Sequence, residues 1–290
     1  MTNLRGLGTA LITPFEVDGS VDFDALKRLL DKQMAGDVNY IVVLGTTGEA
    51  VTLSESERLA VRRTILDYVA GKLPLVLGVG GNNTAAVCET LRKDDLSGFS
   101  AILSVCPYYN KPSQEGLFRH FCAVAEASPL PVILYNVPGR TGVNLLPDTV
   151  MRIYHAAPDK ILGVKEASGN LEQIKHLIDL AKGTPLLVIS GDDGLTAAIM
   201  QAGGAGLISV LSNAYPKEAG RLVHEADATL QEKLAPLIAL LFKEGNPAGI
   251  KTVLAQQGVI SNVLRLPLVP NSEAVQSEIN SVRILNMREV

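Results

Sequence analysis

Short apolar runs alternate with longer amphipathic ones from one end of the chain to the other. The short runs cover residues 7–13, 40–45, 75–80, 101–106, 132–136, 161–165, 186–190 and 206–211. They are rich in Val, Ile and Leu and mostly lack polar alternation. Strands buried on both faces read that way, which is the pattern of a parallel sheet. The segments between them carry a helical period. In residues 22–35, Phe23, Leu26, Leu30 and Met34 share one face, and Gly36 follows as a stop. Ser54 and Glu57 have capping-box spacing. The helix they open aligns Val61, Ile65, Leu66 and Val69 on one stripe and ends at Gly71. Similar helices are predicted after Asn83, Ser113, Pro147, Asn170, Asp193 and Pro216.

That makes eight strand–helix units without a linker. A βα unit repeated eight times closes into a (β/α)8 TIM barrel, for which roughly 250 residues is typical. The expected fold is therefore α/β: a barrel over residues 1–228, with additional C-terminal helices over residues 229–290 packed on it. A doubly wound open sheet is the competing architecture. No Gly-x-Gly-x-x-Gly follows the first strand, so its dinucleotide-binding version lacks a signal.

Composition narrows the classes of function. At 290 residues with 47% hydrophobic and 19% charged residues, the chain is an ordinary globular one. A net charge of −4 with both signs interleaved gives no basic stripe, which argues against nucleic-acid or anionic-membrane partners. The densest apolar stretch, residues 234–242, is broken by Pro236 and is too short for the roughly 20 residues a bilayer requires. The beginning of the chain is unlike a secretory signal. Three cysteines, Cys88, Cys106 and Cys122, form no Cys-x-x-Cys pair and suit a reducing compartment. The four histidines are scattered singly, so a structural zinc site is not expected. These features together predict a soluble, cytoplasmic protein.

In a barrel, active sites form where strands end and the βα loops begin, so the strand ends hold the candidate chemistry. Lys165 stands at the end of the sixth strand, in an apolar stretch. Burial disfavours the ammonium, and a neutral amine can attack a ketone to form a Schiff base. The alternative is a lysine paired with Glu166 to fill a polar gap. Tyr135 ends the fifth strand, where a phenol can shuttle protons or an aromatic ring can lid the core. Thr46 and Thr47 lie in a glycine-flanked turn that suits a small carboxylate, or simple turn and cap chemistry. Arg140 can pair bidentately with a carboxylate or stand solvated. The glycines of Gly78-Val79-Gly80-Gly81 lack a phosphate loop's Lys and Ser and read as a tight turn. Cys106 reads as a small buried residue with no histidine to activate it.

Taken in order, Gly45-Thr46-Thr47-Gly48-Glu49, Tyr108-Tyr109-Asn110-Lys111-Pro112, Tyr135-Asn136-Val137-Pro138-Gly139-Arg140-Thr141-Gly142 and Gly163-Val164-Lys165-Glu166-Ala167 resemble the dihydrodipicolinate synthase family. Ser190-Gly191-Asp192-Asp193, Asn246-Pro247 with Lys251, and Leu266-Pro267-Leu268 extend the resemblance over residues 6–270. The resemblance implies a pyruvate-dependent class I aldolase on a TIM barrel, with pyruvate and aspartate 4-semialdehyde as substrates and no metal or organic cofactor. It implies a homotetramer built as a dimer of dimers. It makes Lys165 the Schiff-base residue, and Thr46, Tyr135 and Tyr109 a proton relay with Tyr109 given across a dimer interface. Thr47 would hold the pyruvate carboxylate, Arg140 the carboxylate of the aldehyde, and Gly191 and Ile208 would line the pocket.

N-acetylneuraminate lyases and keto-sugar-acid aldolases share the glycine-rich turn and the lysine. They tend to carry Ser where this chain has Thr46 and a non-basic residue where it has Arg140. A catalytically silent keto-acid-binding barrel is expected to have lost Lys165, Tyr135 or Tyr109, and all three are present. Lysine-inhibited members of the family place a histidine and a glutamate around an allosteric lysine. Here Asn82 and Tyr108 match that pocket, the histidine positions are Glu55 and Arg58, and the glutamate position is Ala86. Weak or absent inhibition by lysine is therefore expected.

Overall fold

The computed structural model of the chain describes residues 3–286. Eight strands, β1 Gly6–Ala10, β2 Tyr40–Val43, β3 Leu75–Gly78, β4 Ala101–Val105, β5 Val132–Asn136, β6 Ile161–Glu166, β7 Leu187–Ser190 and β8 Gly206–Ser209, pair in chain order. All pairings are parallel, and β1 closes on β8 through Gly8↔Ile208 and Thr9↔Ser209. Each of the eight apolar runs overlaps one of these strands, β1 and β6 each reaching one residue beyond its run.

Successive residues of a strand point to opposite faces, and both faces are buried here. Tyr40, Val42, Leu103, Ile133, Tyr135, Ile189 and Ile208 belong to a cluster that fills the barrel interior. Their neighbours Ile41, Val43, Ile102, Leu134, Val188 and Leu207 belong to the second cluster, shared with the helices. That double burial is why the strand sequences do not alternate. Each fully buried large apolar side chain contributes roughly 1.5–3 kcal/mol.

The surrounding helices are α1 Phe23–Met34, α2 Glu55–Val69, α3 Thr84–Lys93, α4 Gln114–Ala127, α5 Pro138–Thr141, α6 Pro147–Ala156, α7 Leu171–Ala181, α8 Thr196–Gln201 and α9 Pro216–His224. Short polar side chains start many of them. Asp22, Ser54, Asn83, Ser113 and Asn170 each accept a hydrogen bond from a backbone N–H of the first turn. Such a cap stabilises a helix by about 1 kcal/mol. The Ser54–Glu57 capping box forms in full. Helix α2 stops one residue earlier than its glycine, with Ala70 already left-handed at φ +47 before Gly71 at +76. The segment after Asp193 begins as a single 3-10 turn, Asp193–Leu195, before α8.

Three further helices, α10 Ala228–Phe242, α11 Ala248–Gln256 and α12 Glu273–Asn286, follow the barrel. Their buried residues, among them Leu234, Leu237, Val253 and Ile279, join the same cluster as the barrel's helices. Between α11 and α12 the chain passes beneath the β2–α2 loop, where Arg265 donates to Gly19 O, Thr52 O and the Glu57 carboxylate.

The glycines at the end of β3 and just beyond it do not make the expected tight turn. A Cβ on Gly78 would sit 2.4 Å from Leu44 O, and one on Gly80 would sit 2.9 Å from the backbone N of Val105. These glycines are small because the ends of β2, β3 and β4 run close together.

Candidate active site

At the carboxyl ends of the strands lies a cavity of about 620 Å³. Lys165, Tyr135, Thr46, Thr47 and Arg140 all line it. They come from four different places in the barrel: the turn after β2, the end of β5, the short helix after it, and β6.

Tyr135 and Lys165 are direct register partners across β5 and β6. Both side chains point inward, and Lys165 is only 6% exposed. Its ammonium lies over the face of the Tyr135 ring, 4.4 Å from the centroid, a contact favoured by the ring's electron density. Strand alternation turns Glu166 the other way. Its carboxylate accepts from Asn136 Nδ2 at 2.9 Å and from the Ser168 backbone N–H at 2.8 Å. Burial pushes the Glu166 carboxyl up, against the pull of these hydrogen bonds. Glu166 thus spends its hydrogen bonds on the outer side, and the pairing of Lys165 with Glu166 weighed from sequence does not form.

The turn after β2 is bracketed by two left-handed non-glycine residues, Leu44 at φ +56 and Glu49 at φ +51. Thr46–Gly48 makes a single 3-10 turn between them. Thr13 Oγ1 donates to Gly48 O at 2.7 Å, and Asn246 Nδ2 donates to Thr47 Oγ1 at 3.0 Å. The Glu49 side chain is fully buried and lies 2.5 Å from Lys251 Nζ. Burial lowers Lys251 to about 8, with the Glu49 charge acting in the opposite sense.

Arg140 is exposed to the cavity from α5. Pro138 at the first position of that helix and left-handed Gly142 at its end fix its length. Thr141 Oγ1 donates to Val137 O and Val143 O, which holds the segment to β5.

Gly191 and Ile208 do not appear in the cavity wall. Gly191 packs behind Lys165, where a Cβ would come within 3.1 Å of Lys165 Cε and Cγ. Ile208 is buried in the interior cluster, alongside Tyr135 and Ile189. One chain alone does not bring Tyr109 to the cavity. The residue is 89% exposed, on a loop where Tyr109 and Lys111 adopt φ +74 and +45. That loop is pinned to the one after β3 by Asn82 Nδ2 on Tyr108 O and Asn110 Nδ2 on Asn82 O. Cys106 is buried, and burial raises its thiol, which suits an inert residue.

The cavity also takes in Arg58, Asn82, Tyr108 and Ala86, positions that the resemblance set around a regulatory pocket. Arg58 and Arg62 of α2 line it together with Asp94, and Arg62 Nη1 pairs with Asp94 Oδ2 at 2.6 Å. The arginines share one helix face at i, i+4, a spacing visible in the sequence but common on solvated helices. Lys165, Arg140, Arg58 and Arg62 thus face a single lining carboxylate, itself paired. Among the described residues no group of three or more His, Cys, Asp or Glu is placed to hold a metal ion. The cavity can bind small anions beside a buried primary amine.

A family model described as the dihydrodipicolinate synthetase family matches residues 3–284. The 4-hydroxy-tetrahydrodipicolinate synthase of Porphyromonas gingivalis is 47% identical, over 97% of this chain and 96% of its own. That of Flavobacterium psychrophilum is 49% identical, over 95% of this chain and 96% of its own. The crystal structure of dihydrodipicolinate synthase from Acinetobacter baumannii complexed with pyruvate superposes with a TM-score of 0.93. It shares 39% identity and covers 98% of this chain and 99% of that one.

Proposed function

Since the chain belongs to the dihydrodipicolinate synthetase family, we propose that its cavity condenses pyruvate with L-aspartate 4-semialdehyde to give 4-hydroxy-tetrahydrodipicolinate, in lysine and diaminopimelate biosynthesis. The chain is a lyase of the class I aldolase type. The observation that carries the site assignment is Lys165. It is an amine seated within a barrel strand, turned inward beside Tyr135 and open to a cavity whose charged lining groups are Lys165, Arg140, Arg58 and Arg62 against the one carboxylate of Asp94.

In this reading Lys165 Nζ attacks the ketone carbon of pyruvate and water leaves, giving an iminium. The iminium draws electrons from the methyl group, which loses a proton and becomes an enamine. The enamine carbon then bonds to the aldehyde carbon of the semialdehyde, whose oxygen takes up a proton. Finally the substrate's own amino group displaces Lys165 from the iminium carbon, closing the ring and freeing the enzyme. Tyr135, Thr46 and a Tyr109 from a neighbouring chain carry the protons, steps of a kind that typically gain roughly 10²–10⁴-fold each. Thr47 holds the pyruvate carboxylate and Arg140 that of the semialdehyde, as a bidentate partner. Gly191 leaves room for the Lys165 side chain, and Ile208 supports the wall behind it.

A supply of Tyr109 in trans fits its exposure and its left-handed backbone, a conformation that costs of order 1–3 kcal/mol and clusters at functional sites. The assembly proposed is a homotetramer, a dimer of dimers, working in the cytoplasm. Among the described residues no helix is long and apolar enough to cross a membrane. Supplying pyruvate and aspartate semialdehyde together and following ring formation tests the reaction. Turnover with both substrates supports it, and turnover with a keto-sugar acid alone would refute it.

A further inference from the structure

The turn Gly45–Glu49 is built from the other end of the chain. Asn246, Lys251 and Arg265 lie more than two hundred residues from it or nearly so, yet all three bond to it. Asn246 Nδ2 donates to Thr47 Oγ1 at 3.0 Å, the Arg265 backbone N–H donates to Glu49 Oε2 at 3.2 Å, and Lys251 Nζ sits 2.5 Å from Glu49 Oε1. Both partners of that ion pair have fully buried side chains. Lys251 also donates to Val263 O at 3.0 Å and lies over the Phe15 ring, 4.1 Å from its centroid.

A buried ion pair is weak evidence for stability. Desolvation of both charges offsets most of their attraction, and apolar replacements of similar volume are often neutral or stabilising. What such a pair does supply is a fixed geometry. Here the geometry fixed is that of a turn held between two left-handed non-glycine residues, conformations that persist only where the surroundings enforce them. The donation from Asn246 occupies an acceptor site on Thr47 Oγ1, which leaves the hydroxyl proton to point at a ligand.

We propose that Lys251, Glu49 and Asn246 are positioning residues of the keto-acid subsite, acting through Thr47 on the substrate carboxylate. The inference rests on the reading that Thr47 receives the pyruvate carboxylate. Lys251 and Glu49 set the path of the turn, and Asn246 sets the direction of the hydroxyl. Lys165 and Arg140 lie on other strands and loops, so the effect falls on pyruvate and spares the aldehyde.

The test compares the double variant Lys251→Met with Glu49→Met, which removes both charges together, with Asn246→Ala. Both are assayed for melting temperature and for the KM of each substrate. A displaced binding group costs roughly 10- to 100-fold. The expected result is a rise of that size in the KM for pyruvate, at an unchanged KM for the semialdehyde and with the melting temperature retained. If the double variant does not fold, Asn246→Ala carries the same expectation. An unchanged KM for pyruvate in a folded variant, or equal losses for both substrates, would overturn the proposal. Failure of the underlying reading looks different: Thr47→Val would then leave the pyruvate KM of the otherwise native enzyme unaltered.

Discussion

Tyr135 and Lys165 stand opposite each other in the β5–β6 ladder, and the ammonium of one lies 4.4 Å from the ring centroid of the other. The register makes the pair a property of the barrel wall and not of a mobile loop. Reactive groups carried on adjacent strands are held more tightly than groups on loops. Arg140, by contrast, reaches the cavity from a short helix beyond the strand. The amine chemistry and the recognition of the second substrate therefore sit on separable pieces of structure.

Arg140→Ala should spare the first half-reaction and impair the second. Losing a charged hydrogen-bonded partner costs roughly 1.5–3 kcal/mol, or about 10- to 150-fold in kcat/KM for aspartate semialdehyde. Pyruvate should still be trapped on the enzyme by borohydride at the native rate. Equal damage to trapping and turnover would show that Arg140 organises the whole site.

How much of this was legible in the sequence depends on the range of the contact. The eight strands and the Ser54–Glu57 cap are local, and their signals sit within a few residues. The facing of Lys165 was not legible: with both faces of β6 buried, period-two patterning cannot say whether Lys165 or Glu166 points inward. Nor was the tie from Asn246 to Thr47, which spans 199 residues. No periodicity encodes such a contact, although Glu49, Asn246 and Lys251 each stood in the motifs that carry the family resemblance. The glycines at the end of β3 misled for a related reason, since close approach of neighbouring strands and a tight turn leave the same trace.

Tyr109 gives the clearest test of assembly. Coexpressed Tyr109→Phe and Lys165→Ala chains, each inactive alone, should form mixed dimers with one complete site. Random pairing restores roughly a quarter of native activity, since half of the dimers are mixed and half of their sites are intact. No recovery in mixed dimers isolated by differential tagging would place Tyr109 outside its neighbour's site.

Free lysine should inhibit weakly or not at all. Arg58, Asn82, Tyr108 and Ala86 all line the cavity, while Glu55 is exposed at the start of α2. The one lining carboxylate, Asp94, is already paired with Arg62. A lysine ammonium there meets arginines without a free anionic partner, a loss of roughly 1.5–3 kcal/mol relative to a paired site. Steady-state rates against lysine decide the matter: half-inhibition below about 1 mM, an affinity near −4 kcal/mol or tighter, contradicts the account.

The tie from Arg265 to α2 should show in acid. Its guanidinium holds the Glu57 carboxyl down to about 2, from an ordinary 4.5. A depressed carboxylate contributes stability that is present above pH 4.5 and is lost as pH falls toward 2. Glu57→Gln should therefore lower the melting temperature at pH 6, and the deficit should shrink progressively below pH 4.5. Glu166 and Asp193, raised by burial, act in the opposite direction, but they are common to both proteins and cancel in the difference. A deficit that stays constant down to pH 3 would mean that the charge on Glu57 is not what the pair uses.

The central claim is that Lys165 is the amine that carries pyruvate. Incubating the protein with pyruvate and borohydride, then mapping the adduct by peptide mass spectrometry, tests it directly. The account predicts one reduced pyruvyl adduct, on the peptide containing Lys165. It also predicts none in Lys165→Ala or in Lys165→Arg, whose guanidinium stays protonated and cannot attack. An adduct on Lys111 or Lys251 instead, or one that survives the loss of Lys165, would contradict it.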